Sequence, residues 1–261
     1  MSLDDRPLVL ITGASSGIGQ ALALRFHRAG WRLALVARRE RELQQWANNE
    51  QLPVDSTQIY RADVRDVDAI IGVGHDCMAR QGLPEVVIAN AGVSIGVDSA
   101  RREDLDDMRA TLDTNVLGMA ATFQPFIAPM RERRRGTLVG IASVAGIRGL
   151  PGHGAYCASK AAVISYCESL RGECRPFGLK VVTIAPGYID TPLTQRNPYP
   201  MPFLMPVARF ADQAFRSIEA GHSYRVIPWQ MGVVAKLLRV LPNALFDRLL
   251  AGRPRKPRRS E

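Results

Sequence analysis

The sequence is poor in several features that mark other protein classes. Only four of its 261 residues are cysteine: Cys77, Cys157, Cys167 and Cys174. They form no CxxC pair and no Cys/His ligand spacing, so no metal site is expected. Cys167 and Cys174 share a helical stretch at a separation of seven, too far along the axis for a disulfide. Free thiols in a reducing cytosol are the simplest reading, and a cytoplasmic location follows as an expectation. No run of about 18 uncharged apolar residues occurs, which excludes a membrane-spanning helix. Asp4, Asp5 and Arg6 precede the first apolar stretch, which is not the pattern of a signal peptide. Charged residues make up 23% against 46% apolar, and the 22 glycines and 17 prolines are scattered. That balance excludes a disordered or collagen-like chain.

A basic excess is present, 34 Lys+Arg against 25 Asp+Glu for a net +9. Its position matters more than its size. Residues 253–261 (RPRKPRRSE) carry +4 of it, and the remaining +5 is ordinary for a chain of this length. No nucleic-acid partner is expected from it. The tail reads as a basic disordered extension.

Short apolar runs at Leu8–Ile11, Arg32–Ala37, Gln58–Ala62, Val86–Asn90, Thr137–Ala142 and Lys180–Ala185 alternate with longer helical patterns. The helical stretches are Ile18–Ala29, Glu40–Asn49, Val67–Arg80, 103–132 and Ala155–Pro176. Strands that are near-continuously apolar, each followed by a helix, predict a mostly parallel sheet covered on both faces. The fold class is therefore α/β, a doubly wound Rossmann-type sheet in one domain over residues 1–228. The rhythm breaks at 192–206 (PLTQRNPYPMPFLMP), a long prolyl loop assigned to the substrate side. A helix at Val207–Gly221, a strand near Tyr224–Pro228 and an apolar segment over 229–252 follow.

The first strand runs directly into Thr12-Gly13-Ala14-Ser15-Ser16-Gly17-Ile18-Gly19 and then a helix. Glycines at such a turn let backbone approach a pyrophosphate that the helix N-terminus attracts. Gly13, Ser15, Ser16, Gly17, Ile18 and Gly19 are therefore assigned to cofactor binding. The spacing is G-x-x-x-G-x-G, and the competing reading is a plain tight turn. At the end of the second strand, where an acid would select NAD, the chain reads Arg38-Arg39. Arg38 can bind a 2′-phosphate through its forked guanidinium, with Arg39 as a second contact, so NADP is expected ahead of NAD.

Tyr156 and Lys160 lie four apart on one helical face, and Ser143 sits at the end of the fifth strand, the edge where doubly wound sheets bind ligands. Asn115 is odd in mid-helix, since asparagine prefers caps and turns. A Tyr/Lys pair is commonly a surface pair. Joined to a strand-end serine and a dinucleotide turn, it points to a catalytic set.

At this point the chain resembles the short-chain dehydrogenase/reductase family along roughly residues 7–228. The motifs are TGASSGIG at 12–19, Asp63-Val64, Asn90-Ala91-Gly92, Asn115, Ser143, Tyr-Cys-Ala-Ser-Lys at 156–160 and Pro186-Gly187. Ala89 stands where the family often has Asn, and the usual Gly-rich final motif gives way to the apolar 230–251 stretch. The resemblance implies Tyr156 as acid/base, Lys160 lowering its pKa and holding the nicotinamide ribose, and Ser143 polarising the substrate oxygen. It implies that Asn115 holds a relay water. It places Asp63 and Val64 at adenine, Asn90 near the adenosine ribose, and Ile189 and Thr191 at the nicotinamide amide. It also implies a homodimer or homotetramer through helices near 103–132 and 155–176.

The expected activity is NADP(H)-dependent interconversion of a carbonyl and an alcohol. The alternatives are a nucleotide-sensing or scaffolding protein of the same fold, and an epimerase or dehydratase, which would need a longer substrate region. Cys157 reads as structural, and His153 as a solvated loop residue rather than part of the substrate mouth. Pro198, Tyr199, Met201, Phe203, Leu204 and Met205 fit either a lid over an apolar substrate or a loop packed on protein. Over 230–241, Met231, Val234, Leu238 and Leu241 recur at helical spacing, with Val233, Leu237 and Val240 widening the stripe. Pro242 should interrupt this helix, and Asn243 should cap a short successor carrying Leu245, Phe246, Leu249 and Leu250. With Lys236, Arg239, Arg248 and the basic tail nearby, these helices fit either packing on the protein itself or weak contact with an anionic membrane.

Overall fold

A computed structural model describes residues 6–195, 197–252 and 254–259. Asp4, Asp5, Arg196, Arg253, Ser260 and Glu261 lie outside the described residues. Seven strands form one parallel sheet: β1 (Leu8–Thr12), β2 (Arg32–Ala37), β3 (Thr57–Arg61), β4 (Val86–Ala89), β5 (Thr137–Ile141), β6 (Lys180–Pro186) and β9 (Tyr224–Ile227). Their order is β3-β2-β1-β4-β5-β6-β9. The two-residue strands β7 (Ile189–Asp190) and β8 (Met205–Pro206) pair separately. The chain leaves β1 toward β2 on one side and β4 joins β1 on the other, with Val9 opposite Val86 and Ile11 opposite Ile88. This reversal opens a crevice at the carboxyl ends of β1 and β4, where doubly wound sheets take their ligands.

The period of two along each strand builds two cores. Val9, Ile11, Leu33, Leu35, Val139 and Val182 face a layer holding α1 (Gly17–Arg28), α2 (Glu40–Asn49) and α7 (Val207–Ala220). Leu8, Leu10, Ala34, Val36, Leu138 and Val181 face α3 (Val67–Gln81), α5 (Gly118–Arg133) and α6 (Gly154–Cys174). Phe26, Phe123, Phe126 and Phe210 are fully buried, each adding roughly 1.5–3 kcal/mol of apolar burial. All four cysteines are buried free thiols, Cys77, Cys167 and Cys174 within the second core.

The single helix expected over 103–132 is divided. It runs as α4 (Asp104–Leu112), a π-helical turn over Asp113–Leu117, and then α5. The wide turn holds Asn115 at its centre, buried and directed inward. That accounts for an asparagine inside a helix, because a π-turn commonly serves a functional position.

The C-terminal segment forms α8 (Trp229–Val240) and α9 (Asn243–Leu250), divided at Pro242 as the sequence implies. Met231, Ala235 and Phe246 are buried against the domain. Arg148 fixes both helices by donating to the Leu238 and Leu241 carbonyls and to Asn243 Oδ1, with its guanidinium 3.7 Å from the Phe246 ring centre. Residues 254–259 do not behave as the loose tail expected from composition. They lie back along the catalytic side of the domain, and Arg258 grips Asp104 with two 2.7 Å hydrogen bonds.

Candidate active site

The turn after β1 is shaped by close backbone approach. Gly13 has φ +67° and Gly17 φ +56°, both in the left-handed region that glycine tolerates. A Cβ on Gly13 would lie 2.8 Å from Ala91 Cα, and one on Gly19 would strike the Gly13 carbonyl. Asn90, at the end of β4, locks this turn: its amide donates to the Thr12 carbonyl at 3.0 Å and the Gly13 carbonyl at 3.3 Å. Thr12 Oγ1 accepts from the backbone N–H of Asn90 and Ala91. The Asn90 side chain thus holds the turn from within the cleft that it lines. Ser16 precedes α1 and makes no side-chain cap to it, which leaves the first N–H groups of that helix available to a phosphate.

Gly13, Ser15, Ser16, Gly17, Ile18, Arg38, Asp63, Val64, Asn90, Ala91, Gly92, Ser143, Tyr156, Lys160, Pro186, Gly187, Ile189 and Thr191 line one cleft of about 640 Å³. Of the residues assigned from sequence, Gly19 and Asn115 stand behind its wall. At one end are the two arginines. Arg39 reaches Ser15 Oγ at 3.3 Å and Glu42 at 3.1 Å. Arg38 is half exposed and touches Asp63 at 3.5 Å. Asp63 is engaged more closely by Arg65, through side-chain bonds of 2.7 and 3.0 Å and a backbone N–H bond. Burial would raise its carboxyl, but the Arg65 bonds and the Arg38 and Arg65 charges outweigh this and hold it low.

At the other end lie the chemical groups. Ser143 follows β5, and its Oγ accepts from the Ala145 N–H at 3.1 Å. Tyr156 stands in the first turn of α6 and Lys160 one turn later. Lys160 is buried, its Nζ donating to the Ile141 carbonyl at 2.7 Å and lying 5.9 Å from the Tyr156 ring centre. Burial pushes the Lys160 ammonium down to about 8. Enclosure raises the Tyr156 phenol, and the hydrogen bond from Ser143 works against that rise.

Behind these groups is a buried network that sequence reading missed. Asn115 Oδ1 accepts from the Val93 N–H at 2.8 Å, while Nδ2 donates to the Val93 carbonyl and to Ser159 Oγ, each at 2.9 Å. Ser159 Oγ in turn donates to the Tyr156 carbonyl at 2.7 Å. Asn115 therefore uses its side chain to tie the 93 segment to the catalytic helix. No local pattern marks Ser159 within the Tyr-Cys-Ala-Ser-Lys run, because its partner is 44 positions away. Ser159→Ala would leave an Asn115 N–H buried without a partner. It should lower unfolding stability by about 1–3 kcal/mol in urea titration, and an unchanged midpoint would refute this network.

His153 also departs from expectation. It is buried rather than solvated, with Nδ1 donating to the Pro151 carbonyl at 3.2 Å and Nε2 accepting from the Tyr199 hydroxyl at 3.1 Å. Burial holds its pKa below the usual value. Within the 192–206 loop, Met205 is buried and Tyr199 packs on His153 and Tyr188, while Phe203 and Leu204 stand exposed.

The chain is similar to known short-chain dehydrogenases in sequence and in fold. The short chain dehydrogenase family profile matches residues 7–200. An uncharacterized oxidoreductase of Myxococcus xanthus is 41% identical over 238 residues, covering 91% of this chain and 94% of that protein. The crystal structure of a short-chain dehydrogenase from Streptomyces avermitilis superposes with TM-score 0.75 at 25% identity, over 88% of this chain and 92% of the other. The structure of ElxO with NADP bound shares the fold, with TM-score 0.78 at 22% identity over 85% and 97% of the two chains.

Proposed function

This chain belongs to the short-chain dehydrogenase family, and from that premise we propose that it is an NADP(H)-dependent reductase of an apolar carbonyl compound. The observation that carries the reading is the single cleft with two arginines at one end and Ser143, Tyr156 and Lys160 at the other. A dinucleotide fits it on the chain's own terms, because the glycine turn leaves no room for side chains where backbone must meet phosphate. NADP in the ElxO structure supports the same choice. The chemistry supplied by bound NADP(H) is hydride transfer.

The residues do the rest. Tyr156 donates a proton to the carbonyl oxygen in reduction and takes it back in oxidation. Ser143 offers its hydroxyl to the same oxygen, where negative charge develops. Lys160, anchored on the Ile141 carbonyl with its Nζ 5.9 Å from the Tyr156 ring centre, would set a positive charge beside the ribose of a bound cofactor. Asn115 and Ser159 hold α6 in register with the 93 segment. A sensor of the same fold would need only the arginine end, so an intact chemical end favours an enzyme. The test is NADPH consumption across a panel of ketones and aldehydes graded in size and polarity. Apolar members should be favoured, and preference for small polar ones would reject the apolar assignment.

The same reading includes a cytoplasmic homodimer or homotetramer through α4, α5 and α6, where Leu105 and Leu117 are exposed. It also includes weak contact with anionic membranes. Trp229, Val233, Leu237, Val240, Leu245 and Leu249 remain exposed on α8 and α9, beside Lys236, Arg239 and Arg248. Among the described residues no helix is long and apolar enough to cross a membrane. The protein should co-sediment with anionic liposomes at low salt, and Leu237→Glu should abolish this. Equal recovery in the supernatant with and without liposomes would reject the contact.

A further inference from the structure

Residues 254–259 carry an arrangement that composition did not suggest. Residues 254–259 touch three segments that flank the cleft-lining residues Val93, Tyr156 and Thr194. Pro257 O accepts from the Gly96 N–H at 3.2 Å, three residues beyond the Asn115-bound Val93. Lys256 Nζ donates to Asn197 Oδ1 at 3.2 Å in the prolyl loop. Arg255 packs where a Cβ on Gly152 would lie, 2.9 Å from its own Cβ. Gly152 adjoins His153, which holds the Tyr199 hydroxyl.

The strap is fastened by charge. Asp104 is 5% exposed and receives the Arg258 fork at 2.7 Å on each oxygen, together with the Asp98 N–H at 2.7 Å. Glu103 lies 3.5 Å from the same guanidinium, and Arg259 reaches Asp107 at 3.2 Å. A bidentate pair whose members are both largely shielded from water is geometrically specific, unlike an exposed surface pair. The acidic start of α4 (EDLDD, 103–107) is thus the receptor for the basic tail.

We propose that residues 254–259 form the outer wall of the substrate pocket, fastened by the Arg258–Asp104 pair, and that this wall limits the length of carbonyl compound admitted. The proposal rests on the reductase reading for its substrate, but the wall itself can be read without one. His153 lies beneath the strap, so its carbethoxylation by diethylpyrocarbonate, located by mass spectrometry, reports opening. Arg258→Ala removes the fastening, and Gly96→Val displaces the strap by collision with the Lys256 carbonyl while leaving every charge in place.

Both full-length variants should modify His153 about tenfold faster than wild type, because reaction follows the open population. Both should also raise the kcat/KM ratio of long over short aldehydes by about tenfold. Wild-type modification rates in both variants would overturn the strap. Faster modification with an unchanged length profile would overturn its role as a substrate wall. If the wild type reduces no aldehyde or ketone, the reductase reading fails, and the modification rates alone then decide whether the strap covers His153.

Discussion

Tyr156→Phe should lower kcat for carbonyl reduction by about 10²–10⁴-fold, the usual contribution of a positioned acid. The NADPH dissociation constant should stay within about twofold, because the hydroxyl acts on the substrate oxygen and is not a main anchor of the cofactor. Phenylalanine keeps the ring and its packing, so loss of turnover cannot be attributed to a hole in α6. The phenol needs assistance, since its enclosure raises its pKa and the hydrogen bond from Ser143 works against that rise. Lys160 supplies the second half of this prediction. Burial sets its ammonium near 8, below the ordinary lysine value, so the charge is present below that pH and is lost as pH rises through it. kcat/KM for NADPH at saturating carbonyl reports the free enzyme, and it should fall above about pH 8. A flat profile from about pH 6 to 9.5 would remove Lys160 from its role.

The second large effect concerns the cofactor. Arg38→Asp should weaken NADPH by about 10- to 150-fold, the equivalent of losing one charge-assisted hydrogen bond of 1.5–3 kcal/mol, and should bring NADH level or ahead. The geometry favours such a transfer. Asp63 is satisfied by three hydrogen bonds from Arg65, so the 3.5 Å contact to Arg38 is the weakest in its set. Exposed pairs of this kind contribute about 0–1 kcal/mol, and Arg38 can turn to a 2′-phosphate at little cost. Arg39, already on Ser15 beside the glycine turn, adds a second positive charge on that side. Titration of both cofactors by fluorescence checks the prediction, and equal affinities in the wild type would reject it.

The sheet and the phosphate turn were legible because their signals are local. Strands such as LVLIT and RLALVA are apolar at all but one end position, the near-continuous pattern of a parallel strand covered on both faces. Tyr156 and Lys160 declare themselves by helical spacing, and Ser143 by its place at a strand end. What was not legible depends on partners far away in the chain. Ser159 finds Asn115, His153 finds Tyr199, and Arg258 finds Asp104 across 154 positions. Both halves of that last pair were visible as EDLDD and RPRKPRR, but charge runs are ordinarily solvated and nothing local joins them. Asn115 was singled out correctly as unusual, yet its side-chain partners could not be deduced, because the π-turn that aims it leaves no sequence signature.

The central claim, that one cleft joins a phosphate-binding turn to a Tyr/Lys/Ser proton-transfer site, is tested most directly by following the label from NADPH carrying deuterium at the transferable position. With an apolar aldehyde the wild-type protein should form the alcohol bearing deuterium on the carbinol carbon, one equivalent per NADPH consumed, and Tyr156→Phe should bind NADPH but form almost none. Tight NADPH binding with no labelled alcohol from any aldehyde or ketone tried would contradict the account and identify the protein as a nucleotide binder without turnover.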